Sequence, residues 1–371
     1  MKIAIDALGI HYFGGGRTAT LGLLEALFSL DTHNQYLVVL TQFEPGLLMP
    51  SNNVQQWIAP FKSRLLVRLW AQMTFPSRLR GYDLVHFMKN LGVFGLRSRK
   101  VVTVYDLTTL VIPEIFPLLD VWYWRYLQKF TLRSADRVIA ISQNTARDIC
   151  HYYQISPEKI RVIYPAHSIH FSQSTPEGIE QVRRKYQLPE EYILHVGRID
   201  RKKNLPLLVE AFAIFQKLHD FKGKLVLVGE EYRKSRDTTL HSLIDSLSLR
   251  DQVVFTGVIP DFDLPAIFSA ALITVFCSRH EGFGIVALEA MACGAPLIIS
   301  PAGAVVEAVG DAAYILKAED PKLLADVMDK VIADPALRMS MRQKGLERAA
   351  SFSWRSSATQ TLQLYEEVVQ C

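Results

Sequence analysis

Two glutamates frame a short glycine turn in the second half of the chain. Glu281 comes directly before Gly282-Phe283-Gly284, and Glu289 follows eight positions after Glu281. A turn of this kind that opens a helix presents unpaired backbone N–H groups and the positive end of the helix dipole, so it can bind phosphate. Phosphate repels carboxylates, so each glutamate is better suited to accept hydrogen bonds from sugar hydroxyls. The pattern predicts a ligand with phosphate and polyol parts; the alternative is a helix-capping Glu281 and a solvated Glu289.

A cluster of cations follows another apolar run, in the string G-R-I-D-R-K-K over residues 197–203. Guanidinium binds phosphate oxygens bidentately, and lysine supplies a compact charge. A cation cluster of this kind could neutralise a departing nucleoside diphosphate, and we assign Arg201 and Lys202 to the surface. The alternative is a solvated basic loop.

A second glycine turn, Gly14-Gly15-Gly16, precedes a leucine-rich helical pattern over residues 21–30, for which Thr18 or Thr20 is the expected cap. It is a second potential phosphate site, although it does not follow its strand directly, as a dinucleotide fingerprint requires. Asp106 stands at the end of the apolar run V-V-T-V-Y. It is either a ligand-facing carboxylate at the carboxyl end of a strand or a helix cap.

Apolar runs alternating with helical segments must position these residues. Such an alternation predicts an α/β fold with mostly parallel sheets covered on both faces, and ligands at the carboxyl ends of the strands. The expected strands are residues 2–6, 36–40, 83–87, 101–105, 138–142, 192–196, 224–229, 253–257 and 272–277, and expected helices include 285–293 and 359–369.

The composition predicts two globular domains in a reducing compartment. The 371 residues are 49% hydrophobic and 21% charged, which suffices for two cores. The four cysteines, Cys150, Cys277, Cys293 and Cys371, show no paired or metal-type spacing. No apolar run reaches the length of a membrane span, and Asp6 interrupts the apolar N-terminus, so we expect a cytoplasmic protein without a signal peptide.

Positive charge is concentrated between residues 51 and 100, which contain nine basic residues and one acidic residue. Within 61–75 the basic residues alternate with leucine, valine, tryptophan and methionine, as in a basic amphipathic helix. The stretch 61–80 is therefore either a contact with an anionic membrane or polyprenyl-phosphate acceptor, or an ordinary domain helix with a solvated basic edge.

No metal site, cofactor or nucleic-acid partner is expected. The histidines show no ligand spacing. Asp261-Phe262-Asp263 has the form of a metal-binding Asp-x-Asp, but it stands directly before a helix, where acids suit the dipole. We predict that these aspartates cap the helix.

The string H-E-G-F-G-I-V-A-L-E-A-M-A-C-G-A-P, with V-G-R-I-D-R-K-K-N before it, resembles the signature of glycosyltransferase family 4. The resemblance implies a GT-B fold of two Rossmann-like, doubly wound domains that face a cleft. It places an acceptor-binding domain at 1–170, a nucleotide-sugar donor-binding domain at 177–350, and a C-terminal helix at 351–371 that crosses back to the first domain.

The resemblance also implies site residues. Arg198 and Lys203 bind the donor diphosphate, Glu281 holds the sugar hydroxyls, Glu289 holds the ribose, and Asp106 is carried over as an acceptor-side carboxylate. Donor-binding backbone comes from Gly15, Gly16, Gly197, Val258, Ile259, Gly282, Phe283, Gly284, Ile285 and Val286. Tyr105 departs from the histidine that many relatives have there, which puts the role of that histidine in doubt.

The implied reaction transfers a hexose from a nucleotide sugar to a glycan or lipid-linked acceptor, with retention of the anomeric configuration and without a metal ion. If residues 61–80 contact the plasma membrane, the reaction takes place at its inner face. The string D-L-T-T-L-V-I-P-E at 106–114 resembles a mannosyltransferase-like branch and weakly favours GDP-mannose over a UDP-sugar. Two alternatives stay open: a noncatalytic nucleotide-sugar-binding subunit, and another GT-B enzyme such as an epimerase or phosphorylase.

Overall fold

The structure is a computed structural model that describes residues 1–10, 14–48, 53–89, 92–230 and 239–370. His11 and Cys371 lie outside the described residues. The chain forms two compact units, one of Met1–Ala166 with Ser353–Cys371 and one of His167–Phe352. Each unit contains one all-parallel sheet with helices, so the predicted α/β class with two Rossmann-like domains is confirmed.

The first unit contains a seven-stranded parallel sheet of order β3-β2-β1-β4-β5-β6-β7. Its central strands are apolar and buried, as expected of a parallel sheet covered on both faces. The edge strand β3, V-Q-Q-W-I, is half polar and lacks the continuous apolar run by which β1, β2, β4, β5 and β6 were predicted. The three-residue edge strand β7 was not predicted either. The strands are β1 Lys2–Asp6, β2 Gln35–Leu40, β3 Val54–Ile58, β4 Leu84–Phe87, β5 Arg99–Val104, β6 Arg137–Ala140 and β7 Ile160–Val162.

Six α-helices connect these strands, together with short turns of other helical types. A π-helical turn, Trp124–Gln128, joins α4 to α5, and 3₁₀ turns lie at Pro45–Leu48, Pro113–Ile115 and Pro157–Lys159. The helices are α1 Gly15–Leu30, α2 Arg64–Arg78, α3 Thr108–Val111, α4 Leu118–Tyr123, α5 Lys129–Ser134 and α6 Gln143–Tyr153.

Helix α1 begins earlier than the sequence predicts, so the expected cap at Thr18 or Thr20 is wrong. The N-cap is Gly14, whose φ of 125° lies in the region that favours glycine, and no side chain caps the helix. Thr20 is buried inside the helix instead, where its hydroxyl donates to the carbonyl of Gly16. Gly14 adopts this φ without strain, so the preceding loop can end at Gly14. Gly15 and Gly16 then form the first turn of the helix.

The second unit contains a six-stranded parallel sheet of order β10-β9-β8-β11-β12-β13. Its strands are β8 Tyr192–Val196, β9 Lys224–Val228, β10 Val253–Gly257, β11 Ile273–Phe276, β12 Leu297–Ile299 and β13 Ala313–Ile315. Its helices are α7 Pro176–Tyr186, α8 Leu205–His219, α9 Leu240–Ser246, α10 Leu264–Ala270, α11 Ile285–Ala292, α12 Val305–Val309, α13 Pro321–Ala333 and α14 Pro335–Ala350, with a 3₁₀ turn at Arg201–Lys203.

The C-terminal helix α15, Trp354–Gln370, belongs to the first unit and packs against α1. Trp354 lies so close to Gly22 that a Cβ added there would be 2.4 Å from the indole ring. Farther along, the buried Tyr365 hydroxyl is hydrogen bonded to Nδ1 of the buried His86 in β4. Burial lowers the pKa of His86 to about 3, so this contact involves a neutral imidazole.

Candidate active site

The loops that follow β8 and β11 bring the predicted cations of the second unit to Glu281. The Lys203 ammonium donates to Oε1 of Glu281 at 2.6 Å, and the Lys202 ammonium lies 3.6 Å from Oε2. The backbone N–H of Arg279 donates to the Lys202 carbonyl at 2.9 Å, which ties the two loops together. The glutamate and both lysines are mostly buried, so their charges interact with little screening.

The assignment of Lys202 to the surface is wrong. Asp200 accepts a hydrogen bond from the Lys202 N–H and forms a 3₁₀ turn, which directs both Lys202 and Lys203 toward Glu281. Arg201 is exposed, as expected. The Arg198 guanidinium is half-exposed, and its Nη2 lies 3.4 Å from Asp200 Oδ2.

Glu281 is an ionised acid that does not cap a helix. Burial alone would raise its pKa, but the positive charges of Lys202 and Lys203 hold that pKa well below its usual range. The N-cap of α11 is Gly284, with no side-chain cap, so the helix-capping alternative is wrong. The carboxylate is held as the anion at the edge of a basic cluster.

Gly284 shapes the turn between Glu281 and α11. Its φ is 90°, and a Cβ there would come within 2.8 Å of Val305 Cγ2, so both conformation and packing require glycine. Phe283 is buried and stacks edge-on against Phe352, 5.4 Å between ring centroids. Ile285 and Val286 form the first turn of α11, whose N-terminus therefore starts at the predicted turn.

Glu289 lies in the second turn of α11 and is 7% exposed, so the solvated alternative is wrong. Burial, with a smaller contribution from the negative charge of Asp261, raises the pKa of Glu289 to about 8. Among the described residues no hydrogen-bond donor reaches its carboxyl group. The influence of Asp261 shows that Glu289 lies near the segment that follows β10.

The ends of β8, β9 and β10 meet through three glycines. Gly229 donates its N–H to the Gly257 carbonyl at 2.9 Å, and a Cβ on Gly229 would be 1.9 Å from the Gly197 carbonyl oxygen. The loop that carries Arg198 therefore needs a glycine at 229, which our sequence analysis did not single out. Val258, after Gly257, is exposed, whereas Ile259 is buried.

The aspartates at 261–263 do not cap α10 in the predicted way. Asp263 occupies the N-cap position without a cap hydrogen bond. Its Oδ2 accepts from the Lys185 ammonium at 2.8 Å and from the Tyr186 hydroxyl at 2.6 Å. Asp261 is exposed. In the described part of the chain, no three histidine, cysteine, aspartate or glutamate residues are grouped as metal ligands.

In the first unit, Gly15 is exposed and Gly16 is partly exposed at the start of α1, and a Cβ on either would touch nothing within 4 Å. Packing therefore does not require glycine at these positions. Tyr105, which replaces the expected histidine, forms a 2.7 Å hydrogen bond between its hydroxyl and that of Thr20 in α1. Burial raises the pKa of Tyr105 to about 12, so it is a neutral phenol.

Asp106 follows Tyr105 at the end of β5. Its Oδ1 accepts from the Thr108 N–H at 3.1 Å, which sets the start of the short helix α3. The same side chain lines a cavity of about 110 Å³ with Leu107, Thr109, Leu110, Trp124 and Gln128. Leu107, and not Asp106, occupies the N-cap position of α3, although the Asp106 carboxylate accepts from the first N–H of that helix. The acceptor-side role of Asp106 stays a prediction.

Comparisons with known proteins agree with this architecture. The chain matches the family described as Glycosyltransferase Family 4 over residues 13–169 and the one described as Glycosyl transferases group 1 over residues 178–348. It is 29% identical over 290 residues to O-antigen chain mannosyltransferase B of Escherichia coli, covering 78% of this chain and 76% of that one. It is 30% identical over 252 residues to the serotype-specific mannosyltransferase WbdA of Escherichia coli, covering 67% of this chain and 31% of WbdA.

Among solved structures, Anabaena HepE in complex with UDP and glucose superposes with a TM-score of 0.80 at 23% identity, covering 99% of this chain and 100% of that one. This likeness concerns the fold. Because the chain spans about a third of the length of WbdA, activity of the whole WbdA protein does not transfer to it. The two matched families together account for both units, and the chain belongs to glycosyltransferase family 4, as a glycosyltransferase of GT-B fold.

Proposed function

We propose that this glycosyltransferase transfers a hexose from a nucleoside diphosphate sugar to a glycan or lipid-linked acceptor, with retention of anomeric configuration and without a metal ion. The observation that carries the proposal is the pairing of Glu281 with Lys203 and Lys202, beside the glycine-started helix α11. A nucleotide sugar needs positive charge for its diphosphate and a carboxylate for its hydroxyls, and this cluster supplies both.

The cations of this cluster stabilise the leaving diphosphate. When the bond from the sugar to the diphosphate breaks, negative charge develops on the phosphate oxygens, and fixed donors that meet it lower the barrier. We assign Arg198 and Lys203 to these oxygens, with the Gly197 backbone and the α11 N-terminus at Gly282 to Val286. Removal of one such preorganised donor typically costs ~3 kcal/mol in the barrier. Together these four groups can stabilise the leaving diphosphate in place of a metal.

The two glutamates serve different hydroxyls in this proposal. Glu281 stays ionised beside the lysines and accepts from hydroxyls of the donor sugar. Glu289 lies near the segment after β10, whose Val258 and Ile259 backbone we assign to the nucleobase, so its carboxyl group is assigned to the ribose. In the first unit, we assign the backbone of Gly15 and Gly16 to donor binding and the Asp106 carboxylate to the acceptor.

The identity of the donor is a proposal that is based on the names of the relatives. The two Escherichia coli relatives are named as mannosyltransferases, and the Anabaena neighbour holds UDP and glucose. Main-chain recognition of the base leaves no side-chain signature at Val258 and Ile259. We therefore propose GDP-mannose first and a UDP-sugar second.

The donor site is tested by thermal stabilisation with GDP, UDP, ADP and their sugars in the presence of EDTA. A ligand at a hundredfold excess over its Kd adds about 2.7 kcal/mol, which is about 5 to 10 °C for a domain of this size. Arg198→Ala should weaken the best ligand on the order of tenfold or more, because a charge-assisted bond to phosphate is lost. Arg201→Ala is the matched control, since Arg201 belongs to the same loop and is exposed.

The outcomes separate the alternatives. No shift with any nucleotide would overturn the donor site, and equal effects of the two arginine variants would overturn the role of Arg198. A ligand that binds only when EDTA is replaced by a divalent ion would overturn metal independence. Binding without turnover on any acceptor would favour the noncatalytic subunit. An epimerised or phosphorolysed donor would favour the other GT-B enzymes, and NMR of the product's anomeric proton tests retention.

We also propose that the first unit contacts an anionic membrane, at the cytoplasmic side, through an apolar surface on and around 61–80. None of the described helices combines the length and hydrophobicity to cross a bilayer. Helix α2 buries Val67, Ala71 and Phe75 but exposes a second apolar row, Leu65, Leu66, Leu69 and Met73, of which Met73 is 79% exposed. An ordinary amphipathic helix would present polar residues there.

The exposed row continues onto the segment from α4 to α5. Phe94 exchanges backbone hydrogen bonds with the Gln72 side chain of α2 and packs edge-on against Phe130, 5.0 Å between centroids. The segment itself exposes Leu118, Leu119, Trp122, Tyr126 and Phe130. A contiguous apolar surface of this extent marks an interaction site.

Charge favours lipid as the occupant over a second protein copy. Residues 61–80 contain five basic residues and no acidic one, and residues 117–134 contain three basic residues and one acidic. Each basic residue near an anionic leaflet contributes about 1 kcal/mol. A self-complementary dimer would instead press these like charges together.

Vesicle flotation tests this contact. Native protein should float with phosphatidylglycerol-containing vesicles and much less with pure phosphatidylcholine. Met73→Ser combined with Leu118→Ser should abolish flotation, whereas Met339→Ser, an equally exposed methionine on α14, should not. Equal flotation of all variants would overturn the membrane contact. It would also be overturned if the native protein formed a concentration-dependent dimer that Met73→Ser with Leu118→Ser dissociates.

A further inference from the structure

A small polar cavity lies at the carboxyl end of β5 in the first unit. Three of its six lining residues, Asp106, Thr109 and Gln128, carry polar side chains, and Trp124 contributes an aromatic wall. Its volume of about 110 Å³ accommodates several water-sized groups, because one water requires ~10–15 Å³ measured in this way. It can therefore take the edge of a sugar ring.

Gln128 is the unusual member of the lining. It is 2% exposed, and its Oε1 accepts from the Tyr153 hydroxyl at 2.6 Å. Within the part of the chain that the structure describes, its Nε2 has no hydrogen-bond partner. A buried amide donor without a partner costs about 1–3 kcal/mol, so its retention needs an explanation such as a ligand.

The backbone around Gln128 is also unusual. Gln128 ends the π-helical turn that begins at Trp124 and separates α4 from α5. Single π turns inside helices are frequent at functional sites, because the extra residue redirects side chains at a cost in helix geometry. Here the turn brings its first and last residues, Trp124 and Gln128, to the same cavity.

The lining selects the chemical class of the ligand. The Asp106 carboxylate repels phosphate and other anions. A metal ion would have one carboxylate among the six lining residues, too few ligands for Ca²⁺ or Mg²⁺. A sugar offers hydroxyls that donate to a carboxylate and accept from an amide, and a C–H face that packs on an aromatic ring.

We propose that this cavity binds hydroxyl groups of an uncharged sugar unit of the acceptor, with Asp106 accepting and Gln128 donating hydrogen bonds and Trp124 packing against the ring. The inference rests on the proposed transferase function and names the chemistry of its acceptor side. Gln128 is then a specificity-determining residue that lines the cavity beyond the carboxyl end of β5, where Asp106 also lies.

The experiment measures binding of simple glycosides to the full-length protein by saturation-transfer NMR titration. The probes are methyl α-D-mannopyranoside, methyl β-D-glucopyranoside and methyl N-acetyl-β-D-glucosaminide, with glycerol and inorganic phosphate as controls. The variants are Gln128→Met, which removes the amide at nearly constant volume, and Asp106→Asn. Tyr126→Phe is the matched control, because it removes a hydroxyl from an exposed tyrosine of the same π turn that does not line the cavity.

At least one glycoside should bind native and Tyr126→Phe protein equally, and it should bind at least tenfold more weakly after Gln128→Met or Asp106→Asn. If Gln128→Met does not fold, Thr109→Val removes a polar group from the lining and should give the same loss. Absence of glycoside binding, binding that these variants leave unchanged, or preference for phosphate would overturn the inference. Nucleotide-induced stabilisation, measured on the same samples, reports the donor site separately, so failure of one does not imply failure of the other.

Discussion

Glu289→Gln should remove a pH dependence from the stability of the ligand-free protein. The Glu289 carboxyl group is buried in α11, and its pKa is raised from 4.5 to about 8 by burial and by the charge of Asp261. An acid whose folded-state pKa is raised binds its proton more tightly in the folded state. Its contribution to stability is full below pH 4.5 and is lost progressively as the pH rises toward 8.

The size of the effect follows from the two pKa values. One pKa unit corresponds to about 1.4 kcal/mol, so the free energy of unfolding falls by roughly 3 kcal/mol between pH 4.5 and pH 7 and by roughly 4 kcal/mol between pH 4.5 and pH 8. Glutamine does not titrate. Its uncharged amide adds a constant offset of about 1–3 kcal/mol if it finds no partner, so the slope with pH, and not the absolute stability, is diagnostic.

The assay is urea unfolding at intervals between pH 5 and 8 for native protein, Glu289→Gln and Glu210→Gln. Glu210 is a partly exposed glutamate of α8 and serves as the matched control. The native protein and the control should lose stability with rising pH by the same amount, and Glu289→Gln should lose roughly 3 kcal/mol less by pH 7. Parallel pH curves for native and Glu289→Gln protein would refute the burial argument.

A second readout uses the nucleotide. Ribose hydroxyls that donate to Glu289 favour its ionised form, so binding of the donor near pH 7 should release a proton. Calorimetry in two buffers of different ionisation enthalpy measures this release. It should disappear in Glu289→Gln, and an unchanged proton count would contradict the ribose assignment.

Three further changes test the packing of the site and of the helices. Glu281→Gln should lower the free energy of unfolding at pH 7 by about 3 kcal/mol, because two mostly buried lysines lose their counter-charge. The difference in stability between native and variant protein, measured by urea unfolding, should shrink as the pH falls below the ordinary glutamate pKa. Gly229→Ala should cost at least about 3 kcal/mol in thermal unfolding and abolish nucleotide stabilisation, because its Cβ would overlap the Gly197 carbonyl; native-like stability would contradict this. Gly22→Ala should lower the melting temperature, since a 2.4 Å clash with Trp354 outweighs the gain of about 1 kcal/mol in helix propensity, and a raised melting temperature would show that the indole moves away freely.

Local patterns in the sequence were enough to predict most strands and the start of α11. Buried parallel strands such as β1 and β8 are continuous apolar runs, and a glycine turn before a helix has the same geometry in any protein. The half-polar edge strand β3 and the three-residue strands β12 and β13 lack such a signal. Family membership likewise followed from the spacing of Glu281 and Glu289.

The partners of charged side chains were not predictable, because they depend on segments far apart in the chain. Lys202 and Lys203 differ in sequence by one position and both reach Glu281, and Asp263 pairs with Lys185 where local spacing favoured a helix cap. The unpaired amide of Gln128 has no sequence signal either, since a π turn and a cavity produce it.

The sequence by itself determined the residue types, the order of strands and helices, and the glycines that permit turns at Gly284 and Gly14, because these depend on nearest neighbours and backbone dihedrals. Tertiary structure alone decided which carboxyl groups are ionised. Glu281 and Glu289 lie eight positions apart on one segment, yet lysines lower the pKa of the first and burial raises the pKa of the second. The physical reason is that desolvation and Coulomb energies depend on distances that only the folded chain defines.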